Sequence, residues 1–88
     1  MNNRKERNNF VYTNHLRERI KERQISLDDV KLAVRSPDYE KREGACIKSF
    51  KRKEIIGGKI KRELVVVWRW NNDQIIIQTA YYVFIKFK

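Results

Sequence analysis

His15, Arg19 and Arg23 stand four residues apart in a chain that has no other histidine. In an α-helix a step of four advances only about 40° around the axis, so all three side chains share one flank. Imidazole exchanges a proton near neutral pH, and guanidinium grips a phosphate through two parallel hydrogen bonds. The trio therefore has the chemistry for metal-free cleavage of a phosphodiester. A lone histidine at a helix start is commonly surface decoration, and both arginines have Glu18 and Glu22 close by as ion-pair partners. The weight of the reading rests on the grouping.

Two hydroxyls add to it. The run Ile75-Ile76-Ile77-Gln78-Thr79-Ala80-Tyr81-Tyr82 reads as a strand, and strict alternation puts Ile75, Ile77, Thr79 and Tyr81 on one face. If Asn71-Asn72-Asp73 forms a three-residue loop, Val65 lies opposite Thr79 and Glu63 opposite Tyr81, on that same face.

Charge narrows the partner. The chain carries 21 Lys and Arg against 11 Asp and Glu, a net charge of +10. Between Lys41 and Arg62, nine cations (Lys41, Arg42, Lys48, Lys51, Arg52, Lys53, Lys59, Lys61, Arg62) face two carboxylates (Glu43, Glu54), so this stretch alone holds +7. So local an excess favours a polyanion, foremost nucleic acid, or an acidic protein. Lys48, Lys51, Arg52, Lys53, Lys59, Lys61 and Arg62 are its candidate phosphate contacts.

Other classes are disfavoured. A single cysteine, Cys46, allows no internal disulfide and fits a reducing, cytoplasmic setting. One Cys and one His cannot supply a structural zinc site, so no metal and no cofactor is expected. The first ten residues lack the apolar stretch of a signal peptide, and no run has the length of a membrane-spanning helix.

The elements that must position these groups can be read from pattern. Residues 1–9 read as a flexible basic leader and 10–88 as a single domain. Phe10 to Tyr12 is a short strand or an anchor. Thr13 or Asn14 caps a helix from His15 to about Gln24, with Leu16 and Ile20 as its apolar stripe. Ser26, three residues before Asp29, opens a second helix whose buried face is Leu27, Val30, Ala33 and Val34. Pro37 closes it, because the residue before a proline avoids helical geometry.

The chain beyond Pro37 reads as antiparallel sheet. Tyr39–Glu43 is one strand; Cys46 to Ile56 is a second, interrupted by Lys51-Arg52-Lys53-Glu54. Gly57-Gly58 suits a two-residue turn, Ile60–Trp70 a central strand, and Gln74 to about Phe84 the return. The expected fold is α+β, two N-terminal helices packed on a three- to four-stranded antiparallel sheet.

The helix block resembles a known pattern. His15-Leu-Arg-Glu-Arg19-Ile-Lys-Glu-Arg23-Gln-Ile25-Ser26-Leu-Asp-Asp-Val30, closed by Pro37 and answered by Ile75-Ile-Ile-Gln-Thr79-Ala-Tyr81, looks like small domains with a His-x-x-x-Arg-x-x-x-Arg-x-Ile-Ser block. These are similar to RelE-like toxins and to the barnase–EndoU–colicin–RelE group of metal-independent ribonucleases. The resemblance spans about residues 10–85 and implies a RelE-like or barnase-like fold. It also implies attack of a ribose 2′-hydroxyl on the adjacent phosphate. His15 would then act as general base or acid, Arg19 or Arg23 would stabilise the phosphoryl oxygens, and Thr79 or Tyr81 would position the phosphate. An acidic antitoxin protein would be the natural partner. The chain departs from a two-histidine scheme, so Glu63, Tyr81, Lys61 or a water must supply the second proton transfer.

Two readings of other classes stand beside it. A binding module would present Trp68, Trp70, Tyr81, Tyr82 or Phe84 to the bases of RNA. A protein-interaction domain would use an exposed sheet edge.

Overall fold

The computed structural model describes residues 9–86. In chain order these form β1 (Asn9–Tyr12), α1 (Asn14–Arg23), α2 (Leu27–Arg35), β2 (Tyr39–Glu43), β3 (Cys46–Ile56), β4 (Ile60–Asn71) and β5 (Gln74–Lys86). All strands join one sheet in the order β1-β5-β4-β3-β2. β2 to β5 make an antiparallel meander, and β1 lies parallel to β5, with Asn9 opposite Gln74 and Tyr12 opposite Ile77.

This corrects the expected RelE-like or barnase-like arrangement of two helices on a three- to four-stranded antiparallel sheet. The sheet has five strands and is mixed. Four residues are too few for alternation to declare a strand, and β1's partner is brought to it only by the folded chain. The basic leader assigned to residues 1–9 lies outside the described residues, except Asn9, which opens β1.

Local signals did set the helices. Thr13 caps α1, its Oγ1 accepting from the Leu16 N–H at 3.0 Å. Ser26 caps α2, its Oγ accepting from the N–H groups of Asp28 (3.1 Å) and Asp29 (3.3 Å). α2 ends before Pro37. Val30, Ala33 and Val34 are fully buried, whereas Leu27, expected beside them, is 38% exposed in the first turn.

Leu16 and the α2 trio pack on Leu64, Val66 and Trp68 of β4 and on Ile75, Ile77 and Ala80 of β5. Each Leu, Val or Ile among them contributes about 1.5–3 kcal/mol when removed from water. The Trp68 indole donates to Ser49 Oγ (2.8 Å), which donates to Glu40 (2.7 Å), so the indole N–H at the centre of this layer is satisfied. The Tyr12 hydroxyl and Arg62 Nε are buried without a partner among the described residues. No helix among the described residues is long and apolar enough to cross a membrane.

The turns set the register. Ile56 pairs with Ile60, so the β3–β4 turn has three residues; Gly57 and Gly58 take φ of 58° and 69°, which glycine accepts without strain. The β4–β5 turn is tighter than expected, because Asn71 itself pairs with Gln74.

Candidate nucleic-acid interface

β5 changes neighbours midway. From Gln74 to Ile77 it is flanked by β1. There β1 ends and Thr13 takes over, its N–H reaching the Ile77 carbonyl (3.4 Å) and its Oγ1 donating to the Gln78 carbonyl (3.2 Å). At the far end of α1, Arg23 Nη1 donates to the carbonyl of Ala80 at 2.8 Å. Both ends of α1 thus hold the same short stretch of strand edge.

Gln78 is the extra residue of a β-bulge, since Val67 pairs with Thr79 and Trp68 with Ile77. The consequence is a change of face. Ile75, Ile77, Ala80 and Tyr82 pack on the helix side, while Ile76, Thr79 and Tyr81 turn to the side that no helix covers. Strict alternation had grouped Thr79 and Tyr81 with Ile75 and Ile77, and one inserted residue breaks that grouping. The cross-strand partners differ too: Val67 faces Thr79, Val65 faces Tyr81, and Glu63 faces Val83. The tighter turn and the bulge together shift the register by two, and an even shift keeps Glu63, Val65, Thr79 and Tyr81 on one face.

The five residues expected to do catalysis therefore divide between two layers. His15 is exposed on the first turn of α1. Arg19 is held by Glu22 at 2.9 Å. Arg23 reaches the backbone between Thr79 and Tyr81, whose side chains leave on the other face of the sheet. Among the described residues no hydrogen bond joins His15 to Arg19, Arg23, Thr79 or Tyr81.

The helix-free face has an order of its own. Tyr39, Phe50, Val65 and Tyr81 are aligned across four strands, each opposite the next. The Tyr39 and Phe50 rings stack at 4.4 Å and 5°, and Val65, although no helix covers it, is fully buried in this row. On one side runs the row Lys41, Lys48, Val67, Thr79; on the other, Arg52, Glu63, Val83. Lys61 and Arg69 continue the same face along β4. Five cations (Lys41, Lys48, Arg52, Lys61, Arg69) thus share it with two carboxylates (Glu43, Glu63).

Local partners tune these groups. Lys48 binds Glu43 at 2.8 Å. The hydrogen bond from Lys48 holds the Glu43 carboxyl below its ordinary range, and the same bond, with Tyr81 nearby, holds Lys48 above its own. Glu63, only 1% exposed, accepts from the Tyr39 hydroxyl (2.9 Å) and lies 3.4 Å from Lys61. Burial, then that bond to Glu63, pushes the Tyr39 hydroxyl upward. Lys41 sits 5.8 Å from the centre of the Phe50 ring.

The expected phosphate contacts are split accordingly. Lys48, Arg52 and Lys61 lie on the helix-free face. Lys51 donates to the Ser36 carbonyl (2.8 Å) and Lys53 binds Asp29 (3.0 Å), so both are tied to the α2 layer. Arg62 binds Glu54 (2.8 Å) and sits 4.4 Å from the centre of the Tyr82 ring. Lys59 is exposed in the β3–β4 turn. The charged run does not interrupt β3; the strand continues through it with a bulge at Lys53, so alternation sends neighbouring cations to opposite faces. Tyr39, Lys41, Phe50 and Arg69 were missed. Their signal was the two-residue spacing Tyr39-x-Lys41 and Lys48-x-Phe50, which sets a cation beside an aromatic ring on each strand.

No curated protein and no solved structure matches the chain. Residues 12–82, from the last residue of β1 through both helices and the whole aromatic row, match one family model, and the chain belongs to that family, the domain of unknown function DUF4258.

Proposed function

We propose that the protein binds single-stranded RNA across the helix-free face of the sheet, in the cytoplasm. One observation carries this reading: the aligned row Tyr39, Phe50, Val65, Tyr81, bordered by Lys41 and Lys48 on one side and Arg52 on the other. Bases stack on aromatic rings whatever their sequence, and the cations beside them meet the phosphates. Neighbouring strands are about 4.8 Å apart and same-face residues along a strand about 6.7 Å apart, a grid on the scale of successive nucleotides. Cys46, unpaired and partly buried on this face, fits the reducing compartment.

The test is direct. Affinity of the full chain for a labelled single-stranded RNA should exceed that for the same sequence as a duplex, and should fall with salt at about −0.7 in log–log slope per phosphate engaged. Phe50→Ala should weaken it by about 1–3 kcal/mol. Equal affinity for duplex, or indifference to Phe50, would overturn the assignment.

A second reading, metal-independent cleavage of the bound RNA in the manner of a toxin, has one observation in its favour. Thr13 and Arg23, at the two ends of α1, hold the Gln78 and Ala80 carbonyls, so one member of the flank that bears His15, Arg19 and Arg23 reaches the strand that carries Thr79 and Tyr81. Cleavage in the presence of EDTA that His15→Ala reduces about a hundred- to ten-thousand-fold would support it. RNA that is bound but stays intact would leave the binding module alone.

A further inference from the structure

The far end of the sheet carries a surface that the RNA reading does not use. β1 covers β5 only as far as Ile77, and Thr13 and Arg23 take the carbonyls of Ile77, Gln78 and Ala80. Among the described residues no strand pairs with this edge beyond that point. In an antiparallel strand the N–H and C=O of one residue point to the same side, and the side alternates. Because the Ala80 carbonyl points outward to Arg23, the backbone groups of Tyr82 and Phe84 point outward as well.

This open edge carries exposed apolar side chains, which a strand edge in water normally avoids. Here Phe84 is 63% exposed and Ile85 38%, with Ile55 and Ile56, each 44% exposed, at the same end of the sheet. Lys59, Lys61, Arg62 and Lys86 surround them. The carboxylates at this end are already engaged, Glu54 by Arg62 and Glu63 by Tyr39 and Lys61.

We infer that this edge receives an extended acidic segment of a partner protein, which adds to β5 as a sixth strand. The free backbone groups of Tyr82 and Phe84 define the pairing, and apolar side chains of the segment cover Phe84. Charge selects the occupant. A second copy of this chain would bring another +10 to a basic edge, whereas the carboxylates of an acidic segment would lie in the field of the cations at this end, Lys61 on the Ile85 face and Arg62 and Lys86 on the Phe84 face.

The experiment titrates the full chain with a capped eight-residue peptide of alternating valine and glutamate, beside the same peptide with lysine for glutamate. The acidic peptide should bind and slow exchange of the Tyr82 and Phe84 amides, and the lysine peptide should not bind. Phe84→Pro removes an outward N–H and leaves the β4 ladder intact, so it should weaken the acidic peptide at least tenfold. Phe84→Asp, which keeps the N–H and adds a repelling charge, should do the same. Both variants should bind single-stranded RNA as before, because Phe84, a base-stacking candidate by sequence, pairs with Arg62 on the helix side of the sheet and lies outside the row Tyr39, Phe50, Val65, Tyr81. No binding of the acidic peptide, equal binding of the lysine peptide, or binding indifferent to both variants overturns the inference. So does a dimer of the protein alone that Phe84→Pro dissolves, or an RNA that competes with the peptide and protects the same amides.

Discussion

Both faces of the sheet carry lysine and arginine, yet the two faces use them differently. On the helix-covered side Lys51 and Lys53 reach across to α2, and Arg62 is spent on Glu54 and the Tyr82 ring. Those cations close the edge of a hydrophobic layer built on Leu16, Val30, Leu64, Val66 and Trp68. On the helix-free side an aromatic row takes the place of a helix, and Lys41, Lys48 and Arg52 flank it. The contrast teaches that a basic stretch in sequence is not one patch in space. A strand deals its charges alternately to two environments, one that needs them for packing and one that leaves them at the surface.

The sharpest way to break this contrast is to truncate each face at its centre. Trp68→Ala should cost about 3–5 kcal/mol in urea unfolding, because the ring is fully buried and its indole N–H is bonded. That is a large share of the roughly 5–15 kcal/mol that holds a small domain together. Phe50→Ala should cost clearly less stability but more RNA affinity. Equal destabilisation by the two would mean that the helix-free face is a second core and not a surface kept for a ligand.

A smaller effect probes the seam between the layers. Arg23→Ala removes a charge-assisted hydrogen bond to Ala80 and should lower stability by about 1–2 kcal/mol. Hydrogen exchange should quicken first at the α1–β5 contact. Unchanged exchange there would show that Thr13 alone holds α1 to the strand.

Charge reversal separates the faces more finely. Arg52→Glu or Lys41→Glu should weaken RNA binding several-fold and flatten the salt dependence by about 0.7 per lost contact. Lys53→Glu should instead lower the melting temperature slightly, since partly exposed ion pairs such as Lys53–Asp29 contribute no more than about 1 kcal/mol. RNA affinity tracking Lys53 as closely as Arg52 would move the binding surface to the other side.

The smallest expected effect is on pH dependence. Glu43 is held down by Lys48, so its contribution is present above the ordinary carboxylate range and fades as pH falls through the depressed value. Lys48 and Tyr39 are held up, so theirs are complete below their ordinary values and fade as pH rises through the raised ones. Melting temperature should be level around neutrality and decline toward both extremes, and Glu43→Gln should remove part of the acid-side decline. An unchanged acid limb in that variant would show that the pair does not contribute.

Much of the helical part was legible because its signals are local. Thr13 and Ser26 lie beside the backbone N–H groups they cap, and Pro37 acts on its own neighbour. The central strand announced itself by the run Leu64 to Trp68, which is apolar on both sides and buried at all but Val67. β1 was not legible as a sheet member, because its partner, Gln74–Ile77, is supplied by the other end of the chain. The site was read only in part. The flank of His15, Arg19 and Arg23 was visible as spacing, and the Arg23–Ala80 bond ties one of the three to the expected strand. The face that Thr79 and Tyr81 occupy was not visible, because a bulge at Gln78 leaves no mark in the hydrophobic pattern.

Sequence by itself determined what nearest neighbours and periodicity can encode: two capped helices, the antiparallel meander after them, and a strongly basic middle. Tertiary structure alone decided where the basic middle goes. Lys51 and Lys53 are assigned to α2 by packing, and Tyr39, Phe50, Val65 and Tyr81 are drawn from four strands into one row by register. Alternation is a local property, but its phase depends on every turn length and bulge along the strand. One residue at Gln78 turned Thr79 and Tyr81 from the covered face to the open one.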